Sequence, residues 1–391
     1  MVHSLKIVLI SPEGIHIDRW SGYLNRLGYD VSLIKRKSSD KNPHGIREYY
    51  LPEPCPDFSE KELEEELNVI HDLPTQLFKN KIGFARRLKT YRDIIKQINP
   101  DVVHGHWIYE YGLFGMLSAR FLKPYVQTVW GSDIFLCPMH SEKCATETIY
   151  VLQNSDYILG NSKTLINTAM SFIGWINKPN SVFKWGVPDY FKKNLYDKIN
   201  LRKDYGFKQD DIVILSARGF KTVYNLRTIL AAFDIVKKEY GNVRLILAGQ
   251  GYGWETEKTF GISDKNIRIV NYTSHNEIAK LMALSDISIS IPFSDSMANT
   301  LVESMMLGLY TIASNLYSVK DYFKDNIHLK LVNPANLAEI TDAVREYIQK
   351  PILAEEFRRN AMPIIESEFN EDKAVKDIER VYSRVLQNFR K

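Results

Sequence analysis

The chain has 391 residues, enough for two or three ordinary domains, and its 45% apolar and 25% charged content excludes disordered, collagen-like and disulfide-scaffold classes. Basic residues number 51 and acidic ones 47, so the net charge of +4 lacks the domain-wide basic excess of a nucleic-acid binder. Three cysteines (Cys55, Cys137 and Cys144), no CxxC pair, no leader-like start in MVHSLKIVLI and no long apolar span predict a cytoplasmic protein.

The first predicted strand is Lys6–Ser11, a β-branched run that stops at Pro12-Glu13-Gly14. A helix-length segment and Gly28-Tyr29 lead into a second strand, Asp30–Ile34, the rhythm of a βαβ unit. Residues 60–96 stand apart in charge. Glu60, Glu62, Glu64, Glu65 and Glu66 come first; then Lys79, Lys81, Arg86, Arg87, Lys89, Arg92 and Lys96 interleave with Phe78, Ile82, Phe84 and Leu88. A basic, partly apolar helix over 78–96 can lie on an anionic membrane face, and the same pattern also describes a solvated helix face. The rhythm resumes with strand Asp101–Gly105, helix Gly112–Phe121, strand Tyr125–Val129 and two short buried strands, Tyr157–Gly160 and Val182–Lys184.

Between Val187 and Tyr205 the sequence is polar and has no clear period. Then strand Asp211–Ser216, helix Asn225–Tyr240 and strand Arg244–Ala248 follow, with further strands at Ile267–Val270, Ile287–Ile291 and Tyr310–Ala313. The chain thus reads as two successive α/β halves. From Asn370, which can serve as N-cap, the stripe Val375, Ile378, Val381, Val385 and Phe389 predicts a long amphipathic helix.

Ligands of open parallel sheets bind beyond the carboxyl ends of the strands, so residues just after each strand are the candidates. Arg218 follows strand 211–216; its guanidinium suits phosphate oxygens, and an ordinary surface arginine is the alternative. Gly249-Gln250-Gly251-Tyr252-Gly253 ends another strand and lets backbone approach a ligand, or is a plain turn. Asp295 lies at the next strand end, before a helix that starts near Asn299 and whose first amides can hold an anion. Glu303 follows in that helix, where it can take a neutral group such as ribose hydroxyls or simply favour the helix electrostatically. Asn271, after strand 267–270, can expose backbone to a base. In the first half the strand ends carry Gly14 and His16, His104-Gly105-His106-Trp107, and Trp130-Gly131-Ser132-Asp133. The two histidines have no cysteine or carboxylate partner nearby and make a poor metal site. Trp107 and Trp130 offer flat faces on which sugar rings stack, or fill the core.

The order and spacing of these segments resemble the retaining glycosyltransferases of family 4. The central match is Asp295-x7-Glu303 in SDSMANTLVESMMLG, similar to the family's Glu-x7-Glu segment with Asp for the first Glu. DIVILSARG at 211–219, VRLILAGQG at 243–251, NIRIVNYTSHNEIAKLMALSDISIS at 266–290, GLYTIASNLYSVKDYF at 308–323 and LVNPANLAEITDAV at 331–344 support it. So do DVVHGHW, QTVWGSDI, ILGNS and VFKWGVPDYF in the first half, and the likeness spans nearly the whole chain.

The resemblance implies the α/β GT-B fold: two Rossmann-like domains facing each other across a cleft that closes on substrate. Residues 1–190 would form the acceptor-side domain, with helix 371–391 crossing back to it, and residues 205–370 the nucleotide-sugar donor domain. Glu303 would bind the donor ribose and Asp295 the transferred sugar. The stretch Met297, Ala298, Asn299 and Thr300 would hold the diphosphate with Arg218 and Lys221, Gly249 would bind the donor, and Asn271 would lie near the base. Gly14, His16, His106, Trp107 and Trp130 would face the acceptor, and Asp133 would join Asp295 and Arg218 as a catalytic residue. No metal and no cofactor beyond a nucleotide-diphosphate sugar, UDP-linked by preference, is implied. The expected reaction moves a hexose-type sugar to a hydroxyl of a glycan or lipid-linked acceptor in surface polysaccharide or glycoconjugate synthesis. An epimerase or hydrolase acting on nucleotide sugars, or a non-catalytic binder, are the alternatives. The chain departs from the family pattern at three places. Lys221 is displaced from the family's usual lysine, Trp130 stands where a histidine is common, and a Gly-Gly pair is reduced to Gly14.

Overall fold

Short runs of β-branched and aliphatic residues form parallel strands buried on both faces, and helices supply the cover. The computed structural model describes residues 4–36, 44–249, 262–271 and 274–389. It divides into two units, Met1–Lys184 with Asp372–Lys391, and Trp185–Glu371.

The first unit holds seven strands: β1 (Lys6–Ile10), β2 (Asp30–Lys35), β3 (Arg47–Tyr50), β4 (Val102–His106), β5 (Tyr125–Thr128), β6 (Tyr157–Gly160) and β7 (Asn180–Val182). They pair in parallel in the order β3-β2-β1-β4-β5-β6-β7. Ile7, Val8, Leu9 and Ile10 of β1, at the centre, are fully buried. The edge strand β3, REYY, mixes charge with aromatics and gives no apolar run to recognise. β7 lies at Asn180–Val182 rather than the predicted 182–184, and is half exposed rather than buried. Its ladder ends where β6 does, at the Gly160–Val182 pair. The predicted helix 112–121 is shorter, Leu113–Ala119. The turn before it holds Trp107 at φ 72° and Glu110 at φ 63°, and Phe121 at φ 64° follows it.

The 60–96 segment forms helices Glu60–Val69 and Lys81–Ile98. Their charges are largely spent inside the unit. Arg92 meets buried Glu66 at 3.2 Å, Lys89 meets Asp93 at 2.6 Å and Glu62 at 3.5 Å, Arg86 meets Asp57, and Arg87 meets Glu110 at 2.9 Å. Leu88 is buried, Phe78 and Phe84 pack against the same core, and Ile82 is the exposed apolar residue of the stripe. Apart from Ile82, the apolar residues of this segment pack against the core of the unit. Among the described residues no helix is long and apolar enough to cross a membrane.

Helix Glu371–Phe389 supplies its stripe to this first unit from Asp372 onward. Tyr382 is fully buried and completes the stripe, whereas Phe389 is 41% exposed. The Trp20 indole N–H donates to the Tyr382 hydroxyl at 3.1 Å, and that hydroxyl lies 2.8 Å from His104 Nδ1. Arg26 pairs with Asp372.

Among the described residues the second unit has six parallel strands: β8 (Ile212–Ser216), β9 (Val243–Gly249), β10 (Ile267–Asn271), β11 (Ile287–Ser290), β12 (Tyr310–Ser314) and β13 (Lys330–Val332). Their order is β10-β9-β8-β11-β12-β13. The stretch 187–205, read as aperiodic, contains helix Lys198–Asp204, which Asp197 caps by accepting the Ile199 and Asn200 amides. The helix buries Arg202 where an apolar residue would show in the sequence. That guanidinium meets Asp286 at 2.6 Å and also donates to the Leu284 and Gln209 carbonyls. In each sheet the strand order reverses once, between β1 and β4 and between β8 and β11, and such reversals open a crevice at the carboxyl ends.

Candidate active site

In the second unit the crevice at β8 and β11 brings two loops together. Arg218 leaves the end of β8 and Asp295 the end of the loop after β11. Arg218 Nη2 donates to Asp295 Oδ2 at 2.5 Å and Nη1 to Thr300 Oγ1 at 3.4 Å. The guanidinium also lies over the Tyr224 ring, 4.5 Å from its centroid, a stacking contact that suits arginine. Asp295 Oδ1 accepts the Ser296 amide, and the Asp295 carbonyl accepts from Ser318. Burial pushes the Asp295 carboxyl above the usual carboxylate range, and the nearby guanidinium opposes this.

Thr300 opens helix Asn299–Leu307. Ala298 sits at its N-cap and offers no side-chain oxygen, so no side chain caps the first turn. Met297 and Ala298 are buried in an apolar cluster, which leaves only their backbone to a ligand; Asn299 and Thr300 are half-buried. Glu303, one turn on, is 1% exposed. His275 Nε2 lies 3.2 Å from Glu303 Oε1, and its Nδ1 lies 2.9 Å from the Tyr190 hydroxyl.

His275 and Tyr190 were invisible to the motif reading. The one signal was a histidine at a helix start just beyond the β10 end. Lys221 is exposed, and among the described residues no contact joins it to Arg218, Asp295 or Thr300. Gly249 ends β9 opposite Asn271, which is exposed. A Cβ on Gly249 would stand 2.5 Å from the Phe220 ring, so packing already requires glycine there. Gln250, Gly251, Tyr252 and Gly253 lie outside the described residues.

In the first unit the crevice at β1 and β4 carries an aromatic group. Gly14 precedes helix Ile15–Arg26 at φ 145°, where a side chain would be strained. The His16 ring lies 5.1 Å from Trp130, which is 6.1 Å from both His106 and Trp107. Trp107 and Trp130 are half-buried, each with part of its surface open. Trp107 holds a positive φ that bulky residues rarely adopt.

His104 and His106 are fully buried and stacked 4.3 Å apart. Burial holds both below the ordinary histidine range, His106 down to about 3 with help from His16. His104 is bonded on both nitrogens, to Tyr382 and to Thr128 at 2.7 Å, so it belongs to the core. His106 makes no hydrogen bond among the described residues, and neither does Trp130 Nε1. Asp133, expected at the reaction centre, is wholly buried. Its Oδ1 accepts the Trp130 and Gly131 amides at 2.9 and 2.8 Å, so it clasps the turn that presents Trp130. Burial raises its carboxyl to about 6, against the pull of those two amides.

Two parallel-sheet α/β units, each with a strand-order reversal, fit the GT-B class. The match to solved structures agrees: a sucrose-phosphate synthase from Thermosynechococcus elongatus has a TM-score of 0.79 at 15% identity, covering 98% of this chain and 100% of that one. Anabaena HepE, solved with UDP and glucose, has a TM-score of 0.76 at 14% identity, covering 97% and 100%. The family models for glycosyl transferase 4-like proteins and glycosyl transferases group 1 match residues 6–162 and 197–362. The protein belongs to this glycosyltransferase family and is a sugar-transferring enzyme. Among curated relatives it is 20% identical to the N-acetyl-alpha-D-glucosaminyl L-malate synthase of Bacillus anthracis, over 76% of this chain and 78% of that one. It is 25% identical to the alpha-monoglucosyldiacylglycerol synthase of Streptococcus pneumoniae, over 62% and 58%.

Proposed function

We propose that the protein is a metal-independent, retaining glycosyltransferase that moves a hexose-type sugar from a nucleotide-diphosphate sugar to an acceptor hydroxyl. The observation that carries this is Arg218, oriented by Asp295 and Thr300 at a helix start that no side chain caps. A guanidinium and free helix amides together stabilise the charge that grows on a departing diphosphate. Asp295 contacts the transferred sugar and Glu303 the ribose. The bond from the anomeric carbon to the phosphate oxygen breaks, and the acceptor oxygen bonds to that carbon on the same face. The acceptor's proton passes to the released phosphate oxygen, so no protein nucleophile is required.

The acceptor side is the aromatic group of His16, Trp107 and Trp130. Its rings suit stacking on a sugar, and the unpaired N–H of Trp130 suits a hydroxyl partner. A glycan or lipid-linked acceptor of surface polysaccharide or glycoconjugate synthesis fits that chemistry, on the cytoplasmic side of the membrane. The names of two relatives, a glucosaminyl-malate synthase and a glucosyldiacylglycerol synthase, lend support to a small or lipid acceptor. The UDP held by HepE lends support to a UDP-linked donor.

Melting the protein with UDP-, GDP- and ADP-sugars tests the donor. A UDP-sugar should raise the melting temperature most, because a ligand of the folded state stabilises it. Arg218→Ala should slow sugar transfer by about 100-fold or more. No stabilisation by any of the three sugars, or an unchanged rate in the variant, would overturn the proposal.

A further inference from the structure

We infer that His275, set in place by Tyr190, is a positioning residue that aims the Glu303 carboxylate at the donor ribose. The inference rests on the assignment of Glu303 to the ribose made above, and it adds how that group is oriented and why the enzyme should select ribose.

Glu303 is 1% exposed, and a buried carboxylate needs a compensating partner. The guanidinium of Arg218 is turned to Asp295 and Thr300. The imidazole of His275 faces Glu303 instead, with Nε2 at 3.2 Å from Oε1, at ion-pair distance. An ionised carboxylate only accepts hydrogen bonds, so the ring proton belongs on Nε2. In a neutral ring Nδ1 is then an acceptor, and the Tyr190 hydroxyl, 2.9 Å away, donates to it. One tautomer thus suits both neighbours, with a hydrogen bond to Tyr190 and an ion-pair-distance contact to Glu303.

The ring is fixed on several sides. His275 is the first residue of helix His275–Leu284, whose start is capped by the Ser274 side chain. Tyr190 and Phe191 meet the imidazole edge-on at 5.8 and 5.1 Å, and Phe191 is fully buried. The Tyr190 carbonyl accepts the Tyr196 hydroxyl at 2.6 Å. Asp189–Phe191 and Glu303 of helix Asn299–Leu307 therefore meet the His275 imidazole from different segments. A group held this way meets a diol without reorganising, and outer partners of this kind tune the group they hold.

The test compares UDP with 2′,3′-dideoxy-UDP by calorimetry on the full-length enzyme. The native protein should prefer UDP by about tenfold or more, the fold-change of a charge-assisted hydrogen bond. His275→Ala should lower UDP affinity toward that of the dideoxy analogue and leave the analogue's own affinity unchanged. His275→Gln, whose amide can donate from the Nε2 position, should restore most of the preference. Should His275→Ala fail to fold, Tyr190→Phe removes only one hydroxyl and should narrow the same ratio.

Equal loss for both nucleotides, or an unchanged ratio in His275→Ala and Tyr190→Phe, overturns the positioning role. Glu303→Ala separates this from failure of the ribose assignment. If it leaves the ratio intact, Glu303 does not contact the ribose; if it collapses the ratio and His275→Ala does not, only the positioning role falls.

Discussion

Asp133 is a fully buried carboxylate that holds a turn. It sits on the turn that carries Trp130, and two backbone amides bind its Oδ1. Its pKa in the folded chain is raised to about 6 by burial. A raised carboxyl pKa means the folded state binds more protons than the unfolded one between about pH 4 and pH 6. Stability from this group is therefore full below about pH 4 and is lost as pH rises through 6. The loss is on the order of 3 kcal/mol at neutral pH. Asp133→Asn keeps an oxygen for the two amides and removes the ionisation. Urea unfolding at pH 4.5 and 7.5 should show a smaller loss of stability across that interval in the variant than in the native chain. An identical pH slope in the two proteins would mean Asp133 is not ionised against burial. Asp295, raised in the same direction by burial, differs in being paired with Arg218 at the β8–β11 crevice.

At the scale of elements, the sequence was clearest where apolar side chains do the packing. β1, β4, β8 and β11 are read within a residue or so because aliphatic residues dominate them. The misses follow from contacts that no periodicity reports. β3 is an edge strand with charged residues, β13 has three residues, and helix Lys198–Asp204 buries an arginine whose partner, Asp286, is distant in sequence. Arg218, Asp295 and Glu303 were legible as residues at strand and helix ends. His275 was not, because its meaning depends on Glu303 and Tyr190, both far from it in the chain. Gly249 was read as a ligand approach, and the structure gives it a packing reason as well. The Phe220 ring occupies the space a Cβ would need. Gly249→Ala should destabilise the second unit by about 1–3 kcal/mol in a denaturant titration, the cost of overpacking a strand. Adding Phe220→Ala should recover much of the Gly249→Ala cost; simple additivity of the two changes would show that the clash is not its source.

At the scale of the whole molecule, helix Glu371–Phe389 is the contact most distant in sequence. Its Tyr382 hydroxyl accepts the Trp20 N–H and can donate to His104, which passes its own N–H to Thr128. Tyr382→Phe would remove the hydroxyl that accepts the Trp20 indole N–H and meets His104 Nδ1. The cost should be about 2–3 kcal/mol, taken from the first unit alone. Thermal unfolding that resolves two transitions should show one shifted and the other in place; a shift of both, or of neither, would contradict this assignment.

The same helix dictates an order of events at the ribosome. The second unit is one continuous stretch, Trp185–Glu371, and has all of its strands once that stretch has emerged. The first unit has its described strands much earlier, but the hydroxyl that meets Trp20 and His104 Nδ1 arrives only with Tyr382. The half of the protein made first is therefore the half completed last, when helix Glu371–Phe389 brings Tyr382 to Trp20 and His104.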